Sequence, residues 1–370
     1  MTIFGTRPEA VKLAPVIQAL QQDAHFESIV CATAQHRQML DQVLNFFEIR
    51  PQYDLNIMKP NQNLFELTRI ALEKIEKPLT EAKPDVVLVQ GDTTTVLAGA
   101  LAAYYLKIKV GHVEAGLRTY DKYSPFPEEM NRSLADRLSD YFFAPTETAR
   151  KNLLREGFLE EKIFVTGNTV IDALQMAWAR VKDQDWSSQL GLPPEIFEKD
   201  RRVILVTGHR RESFGPEFES LCQGLRQIAE NNANVSLVYP VHLNPNVRAP
   251  VEKILREVKG IYLLEPLDYA QLVWLLGRSY LVLTDSGGIQ EEAPSLGKPV
   301  LVMRKKTERP EGIQAGVARL VGTDEETINA ETQRLLDDPI AYAHMAQATN
   351  PYGDGKTSKR IVEILKKSFA

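Results

Sequence analysis

Only two of the 370 residues are cysteine, Cys31 and Cys222, far apart and with no CxxC pattern or Cys/His cluster beside them. That excludes a disulfide framework and a structural zinc of ordinary spacing. No metal-spaced His/Asp set occurs elsewhere, so neither a metal nor another cofactor is expected. Long apolar runs are also lacking: the longest, residues 96–106, is about half of what a membrane-spanning helix requires and contains Gly99. No charged segment leading into an apolar one opens the chain, so nothing marks it for export and the cytoplasm is the expected location. Charge of one sign is not in excess either, with 44 basic residues against 49 acidic and a net charge of -5. A general attraction to nucleic acid or to an anionic membrane is thereby excluded, and any basic site must be local.

What is present is enough apolar material, 44% of residues, to fill two cores, in a chain longer than one core usually supports. Short β-branched or aromatic runs recur with amphipathic stretches between them. In the first half they cover residues 2–4, 28–33, 85–90, 108–113, 141–144 and 162–165. The second half repeats the pattern at 203–207, 235–239, 261–264, 280–284, 299–303 and 317–321. This alternation predicts an α/β fold of two Rossmann-like, doubly wound parallel-sheet domains. The Pro- and acid-rich stretch 186–202 breaks the pattern between them, and the chain is expected to cross near Asn168. Residues 358–370 read as an amphipathic helix able to pack on either domain.

In open α/β sheets ligands bind beyond the carboxyl ends of the strands, and those positions are rich in charge here. After the first strand comes Gly5-Thr6-Arg7-Pro8-Glu9, with Lys12 one turn into the helix; Arg7 and Lys12 could face an anion or could be solvated charges at a tight turn. Gly91-Asp92-Thr93-Thr94-Thr95 opens another helix, where Asp92 is either a functional carboxylate or an N-cap. Gly111-His112-Val113-Glu114-Ala115-Gly116-Leu117-Arg118 puts a second carboxylate at the neighbouring strand end. A third, Glu128, follows a Pro-rigid loop and precedes Arg132 and Arg137. Crowded carboxylates repel and acquire raised pKa values suited to proton transfer, although a salt-bridge cluster with the arginines would use the same residues.

In the second half His209 follows a strand within Thr207-Gly208-His209-Arg210-Arg211-Glu212-Ser213-Phe214. Asp285-Ser286-Gly287-Gly288-Ile289-Gln290-Glu291-Glu292 reads as a turn into a helix whose amides could cradle a diphosphate, with Glu292 placed for ribose hydroxyls. Other nucleotide signatures fail. No GxGxxG follows a strand, and Gly353-Asp354-Gly355-Lys356-Thr357 lacks both the earlier glycine and the strand of a P-loop.

Taken with Phe4-Gly5-Thr6-Arg7-Pro8-Glu9-Ala10, these motifs resemble, in order and end to end, the non-hydrolysing UDP-N-acetylglucosamine 2-epimerases of bacterial type. The resemblance implies the glycosyltransferase-B architecture, with the active site in the interdomain cleft and a C-terminal helix returning to the first domain. The domains would then be 1–168 completed by 354–370, and 169–353. It implies a homodimer that interconverts UDP-GlcNAc and UDP-ManNAc. By position it places Arg7, His209, Ser286, Gly287, Gly288, Glu292 and Arg309 around UDP, and Lys12, Asp92, Glu114 and Glu128 around the sugar, with Asp92, Glu114, Glu128 and His209 catalytic. Arg132 is counted with the substrate-binding groups. Gln35, His36, Gln38 and Arg69 match a regulatory UDP-GlcNAc site. Leu267 and Leu272 stand where the family can contribute Gln and Phe near the uracil, which puts those two contacts in doubt. A retaining glycosyltransferase, a hydrolysing epimerase and a catalytically silent UDP-sugar sensor are the competing functions.

Overall fold

A computed structural model describes residues 1–34, 37–59 and 62–369. The chain divides into two compact units, Met1–Ala173 with Tyr352–Ala370, and Leu174–Pro351.

The first unit holds β1 (Thr2–Phe4), β2 (Val30–Ala32), β3 (Tyr53–Asp54), β4 (Val86–Gln90), β5 (Lys109–Val113), β6 (Tyr141–Ala144) and β7 (Ile163–Val165). They form one sheet in the order β3-β2-β1-β4-β5-β6-β7, parallel throughout. Helical crossovers put apolar side chains on both faces, which is why Ile3, Val87, Val89 and Val110 are all buried. The winding direction reverses between β1 and β4, and Gln90 of β4 lies opposite Val113 of β5. Residues 91–92 and 114 therefore leave the sheet side by side.

The second unit holds β8 (Arg202–Thr207), β9 (Val235–Pro240), β10 (Ile261–Leu264), β11 (Leu281–Thr284), β12 (Val300–Val302) and β13 (Ala318–Leu320), in the order β10-β9-β8-β11-β12-β13. Here the reversal falls between β8 and β11, where Thr207 pairs with Thr284. Ligand sites in such sheets gather at these reversals.

The twelve expected strands are all present, with ends displaced by no more than two residues. The thirteenth, β3, is a two-residue edge strand, too short to show any alternation in sequence. The closing helix, Thr357–Phe369, packs on the helix Arg7–Gln22 through Ile361, Val362 and Leu365. Burying Ile361 and Leu365 contributes about 1.5–3 kcal/mol each. Its first amides, Thr357 and Ser358, donate to the Asp172 carboxylate at 3.2 and 2.8 Å, and Lys366 pairs with Asp23 at 3.2 Å. No helix among the described residues is long and apolar enough to cross a membrane.

Candidate active site

Gly91 turns the chain out of β4 with φ +81, a conformation natural to glycine. Thr93, not Asp92, then caps the next helix, Thr94–Tyr105, accepting from the Val96 amide. Asp92 is thus free of capping duty. Its carboxylate accepts from the Arg132 guanidinium, and its backbone carbonyl accepts from Asn131 Nδ2 at 3.0 Å. Both partners come from the helix Glu128–Leu138.

At the end of β5, Glu114 adopts φ 69, uncommon for a residue with a side chain and costing on the order of 1–3 kcal/mol. That twist aims its carboxylate inward, where the side chain is only 5% exposed. Lys12 Nζ lies 2.7 and 2.6 Å from the two oxygens, Asn168 Nδ2 donates at 3.0 Å, and Gln90 Nε2 donates as well. The crowding of carboxylates expected from sequence is replaced by individual partners, because Asp92 and Glu114 each face a cation. Glu128 sits at the first position of its helix, half-buried, with no side-chain partner among the described residues. Arg7, also half-buried, begins the helix Arg7–Gln22 and has no ion-pair partner among the described residues.

A buried frame holds these turns. His112 Nδ1 donates to Asp136 Oδ1 at 2.6 Å and Nε2 donates to the Gly91 carbonyl at 2.7 Å. With an acceptor at each ring nitrogen, the doubly protonated ring satisfies both bonds. Although burial opposes the charge, Asp136 and the Gly91 carbonyl carry the His112 pKa above its ordinary value. Arg118 joins Asp136 at 2.8 Å and Glu156 at 2.6 Å. Glu9 accepts from the Gly5 and Thr6 amides and from Thr93 Oγ1 at 2.7 Å, tying the turn after β1 to the turn after β4. Full burial pushes the Glu9 pKa up against those hydrogen bonds. The turns also touch at Gly5, where a Cβ would lie 2.3 Å from Thr33 Oγ1 and 2.4 Å from Thr95 Oγ1. Glu129, adjacent to Glu128, is occupied structurally: it accepts from the Thr119 and Tyr120 amides and pairs with Arg132 at 3.2 Å.

In the second unit Asp285 Oδ2 accepts from the His209 and Arg210 amides at 2.6 and 2.8 Å, joining the ends of β8 and β11. Tyr239 Oη donates to the Gly208 carbonyl at 2.7 Å just before them. Burial first, then the neighbouring His242 and Arg210, hold the His209 pKa below its usual value, against the pull of Asp285. Ser286 stands at the N-cap position of a short helix, Gly287–Glu292, without a side-chain capping bond, and the helix's first amides have no intrahelical acceptor. A Cβ on Gly287 would come within 3.2 Å of Glu308 Oε1 and 3.5 Å of the Arg309 guanidinium carbon. Arg309 pairs with Glu291 at 2.7 Å, and Glu308 bridges Arg304 at 2.6 Å and Arg210 at 3.3 Å. Glu292 is buried and accepts from Tyr269 Oη at 3.3 Å. Leu267 and Leu272 are both half-buried.

Within the first unit the structure therefore gathers Lys12, Asp92, Glu114 and Arg132 at the ends of β4 and β5. Within the second it gathers His209, Ser286, Gly287, Gly288 and Arg309 around the ends of β8 and β11. Of the regulatory candidates, Gln35 and His36 lie outside the described residues, as does the side chain of Gln38; Arg69 is exposed and pairs with Glu73 at 2.8 Å. Sequence reading missed Gln90 and Asn168, whose only signal was an amide beside a strand end. It also missed Glu9, for which Thr6-x-x-Glu9 before an apolar run is a capping-box signature.

The model of the UDP-N-acetylglucosamine 2-epimerase family matches residues 18–366. The chain belongs to this family. It is similar to the UDP-N-acetylglucosamine 2-epimerase of Salmonella typhimurium, at 59% identity over 99% of this chain and 98% of the relative. Among solved structures it resembles the UDP-GlcNAc 2-epimerase from Neisseria meningitidis bound to UDP-GlcNAc, with TM-score 0.90, 50% identity and 99% coverage of both chains. A second, the S. aureus MnaA-UDP co-structure, gives TM-score 0.88 and 49% identity, covering 100% of this chain and 96% of that one. The expected membership is borne out, as is the two-domain α/β fold class of glycosyltransferase-B-like epimerases. The chain is accordingly an enzyme, an isomerase of this family.

Proposed function

We propose that this enzyme interconverts UDP-GlcNAc and UDP-ManNAc by eliminating UDP and adding it back. The observation that carries the reading is the buried Glu114 carboxylate, twisted inward at a strand end beside Lys12 and level with the Asp92–Arg132 pair. The hydrogen at C2 of the sugar is not α to a carbonyl, so direct deprotonation is very unfavourable. Breaking the bond from C1 to the phosphate oxygen first sends its electron pair to UDP and leaves an oxocarbenium-like C1. The C2 proton then becomes acidic enough for a carboxylate, and the C2–H pair forms the C1–C2 double bond of 2-acetamidoglucal. Re-addition of UDP with protonation on the opposite face of C2 gives the epimer.

In this proposal Asp92, Glu114 and Glu128 serve as base, acid and electrostatic support at the sugar, with Lys12 and Arg132 fixing the first two. Arg7, His209 and Arg309 neutralise the departing diphosphate, while Ser286, Gly287, Gly288 and Glu292 hold the nucleotide. A homodimer working in the cytoplasm completes the proposal. The exposed Tyr104, Tyr105, Met130 and Leu134, on two helices that pack together, offer a face for a second copy.

Epimerisation in heavy water tests the elimination: each molecule of epimer is expected to carry deuterium at C2 and nowhere else on the ring. Epimer with C2 wholly unlabelled would defeat it, because a transient keto route returns the original hydride. Glycosyl transfer or hydrolysis would give other products. Gly287→Val is expected to weaken UDP binding by roughly 10-fold or more, since the side chain presses on Glu308 and Arg309; calorimetry with unchanged affinity would place the nucleotide elsewhere. We further propose that UDP-GlcNAc bound at Gln35, His36, Gln38 and Arg69 favours the active state. Scrupulously pure UDP-ManNAc should then turn over sluggishly until a trace of UDP-GlcNAc is added, and an immediate full rate would refute the regulatory site.

A further inference from the structure

Asp285 is more elaborately placed than a turn requires. Its Oδ2 already accepts two backbone amides, His209 at 2.6 Å and Arg210 at 2.8 Å, which accounts for the joining of β8 to β11. Its Oδ1 is buried and has no hydrogen-bond partner among the described residues. A buried carboxylate oxygen without a donor carries a desolvation penalty of about 1–3 kcal/mol or more, so its retention calls for a reason. His209 Nδ1 lies 3.4 Å from it. The Asp285 side chain is 1% exposed and that of His209 40% exposed. The imidazole thus has one nitrogen turned toward a fixed acceptor, and a small ring rotation would close that contact.

We propose that Asp285 is a positioning residue for His209 and that the pair takes up one proton from solvent when a nucleoside diphosphate docks. This inference rests on the assignment of His209 to the UDP site and extends it. Without ligand, burial of the ring and then His242 and Arg210 hold its pKa below the usual value, against Asp285. His242 stacks on it with centroids 5.3 Å apart, Arg210 adjoins it in sequence, and among the described residues Asp285 opposes them, Glu308 being bound to Arg210 and Arg304. A diphosphate brings two or more negative charges to the same turn and reverses the balance. The proton from water settles on His209, Nδ1–H donates to Asp285 Oδ1, and Nε2–H donates to the phosphate oxygen. The resulting imidazolium stabilises the phosphate oxygen on which charge develops when the C1–O bond breaks, and no other bond changes in the step. Asp285 acts only through His209, by fixing which nitrogen faces the ligand.

Titration calorimetry of UDP into the full-length protein near pH 7.5, in MOPS and in Tris, reads the proton directly. UDP is itself almost fully deprotonated there and so has no proton of its own to release, and comparison with His209→Asn tells uptake by the protein from uptake by the bound phosphate. Wild type is expected to take up about half a proton or more per UDP bound. His209→Asn should abolish the uptake. Asp285→Asn keeps an oxygen for the two backbone amides but loses the acceptor for Nδ1–H; it should reduce the uptake and lower kcat more than it raises KM. UDP binding by wild type with no uptake, or uptake that persists in His209→Asn, overturns the proposal while leaving the UDP site intact. No binding of UDP at all would overturn both the site assignment and the proposal.

Discussion

Glu114→Gln is expected to reduce turnover by roughly 10²–10⁴-fold while UDP affinity changes by no more than a few fold, the range associated with loss of a positioned proton-transfer group. The substitution keeps the shape of the side chain but removes its charge. Lys12, 2.6 Å away, then loses its counter-ion, and the new amide group must face a donor from Lys12, Asn168 or Gln90. Lys12, Asn168 and Gln90 all donate to this side chain, so glutamine satisfies fewer of them than glutamate. The loss should appear in kcat because the work assigned to Glu114 lies at the reacting carbons and not at the nucleotide. Steady-state kinetics beside UDP calorimetry separates the two, and near-normal kcat would remove Glu114 from the chemistry.

Asp136→Ala is expected to cost about 3–5 kcal/mol of folding stability, because it strips the acceptor from two buried cations at once. Asp136 is fully buried, holds His112 Nδ1 at 2.6 Å and Arg118 at 2.8 Å, and accepts from the Gly116 amide at 3.3 Å. Urea or guanidinium unfolding of the variant measures the cost; a loss below about 1 kcal/mol would mean the frame is not held by this carboxylate. The pH dependence follows from the two shifts. Burial opposes ionisation of Asp136, yet His112 and Arg118 hold its pKa below the usual carboxylate range. Its contribution is therefore full above about pH 4 and is lost as acid reaches the depressed folded value. The His112 pKa is raised, so its contribution is full below about pH 6.5 and is lost as pH climbs through the raised folded value. The network should stabilise most in the interval between, and the variant should lose that dependence.

Much of this arrangement was legible in sequence. Parallel sheets bury both faces, so their strands appear as short apolar runs, and helix-length intervals between those runs leave few other topologies. Asp92, Glu114 and His209 were marked because each follows such a run. The helix Glu128–Leu138 was less legible in its detail. Glu128 and Glu129 are neighbours of the same kind, yet Glu129 is committed to the Thr119 and Tyr120 amides while Glu128 has no such duty. Nothing local distinguishes them. Nor does local sequence say that Thr93 and not Asp92 caps its helix, since both residue types are good caps and the choice depends on where Arg132 and Asn131 stand.

The sequence by itself therefore determined the fold class, the charged strand ends and the family, because these depend on periodicity and on motifs read within a few residues of one another. The tertiary structure decided which polar groups are partners. Glu114 meets Asn168, 54 positions away, and Lys12, 102 positions away. Glu9 meets Thr93 across 84 positions, and Asp285 meets His209 across 76. Strand order and register create these neighbours, and the energy of a buried charge depends on whether a partner lies within hydrogen-bond distance, which spacing along the chain does not encode.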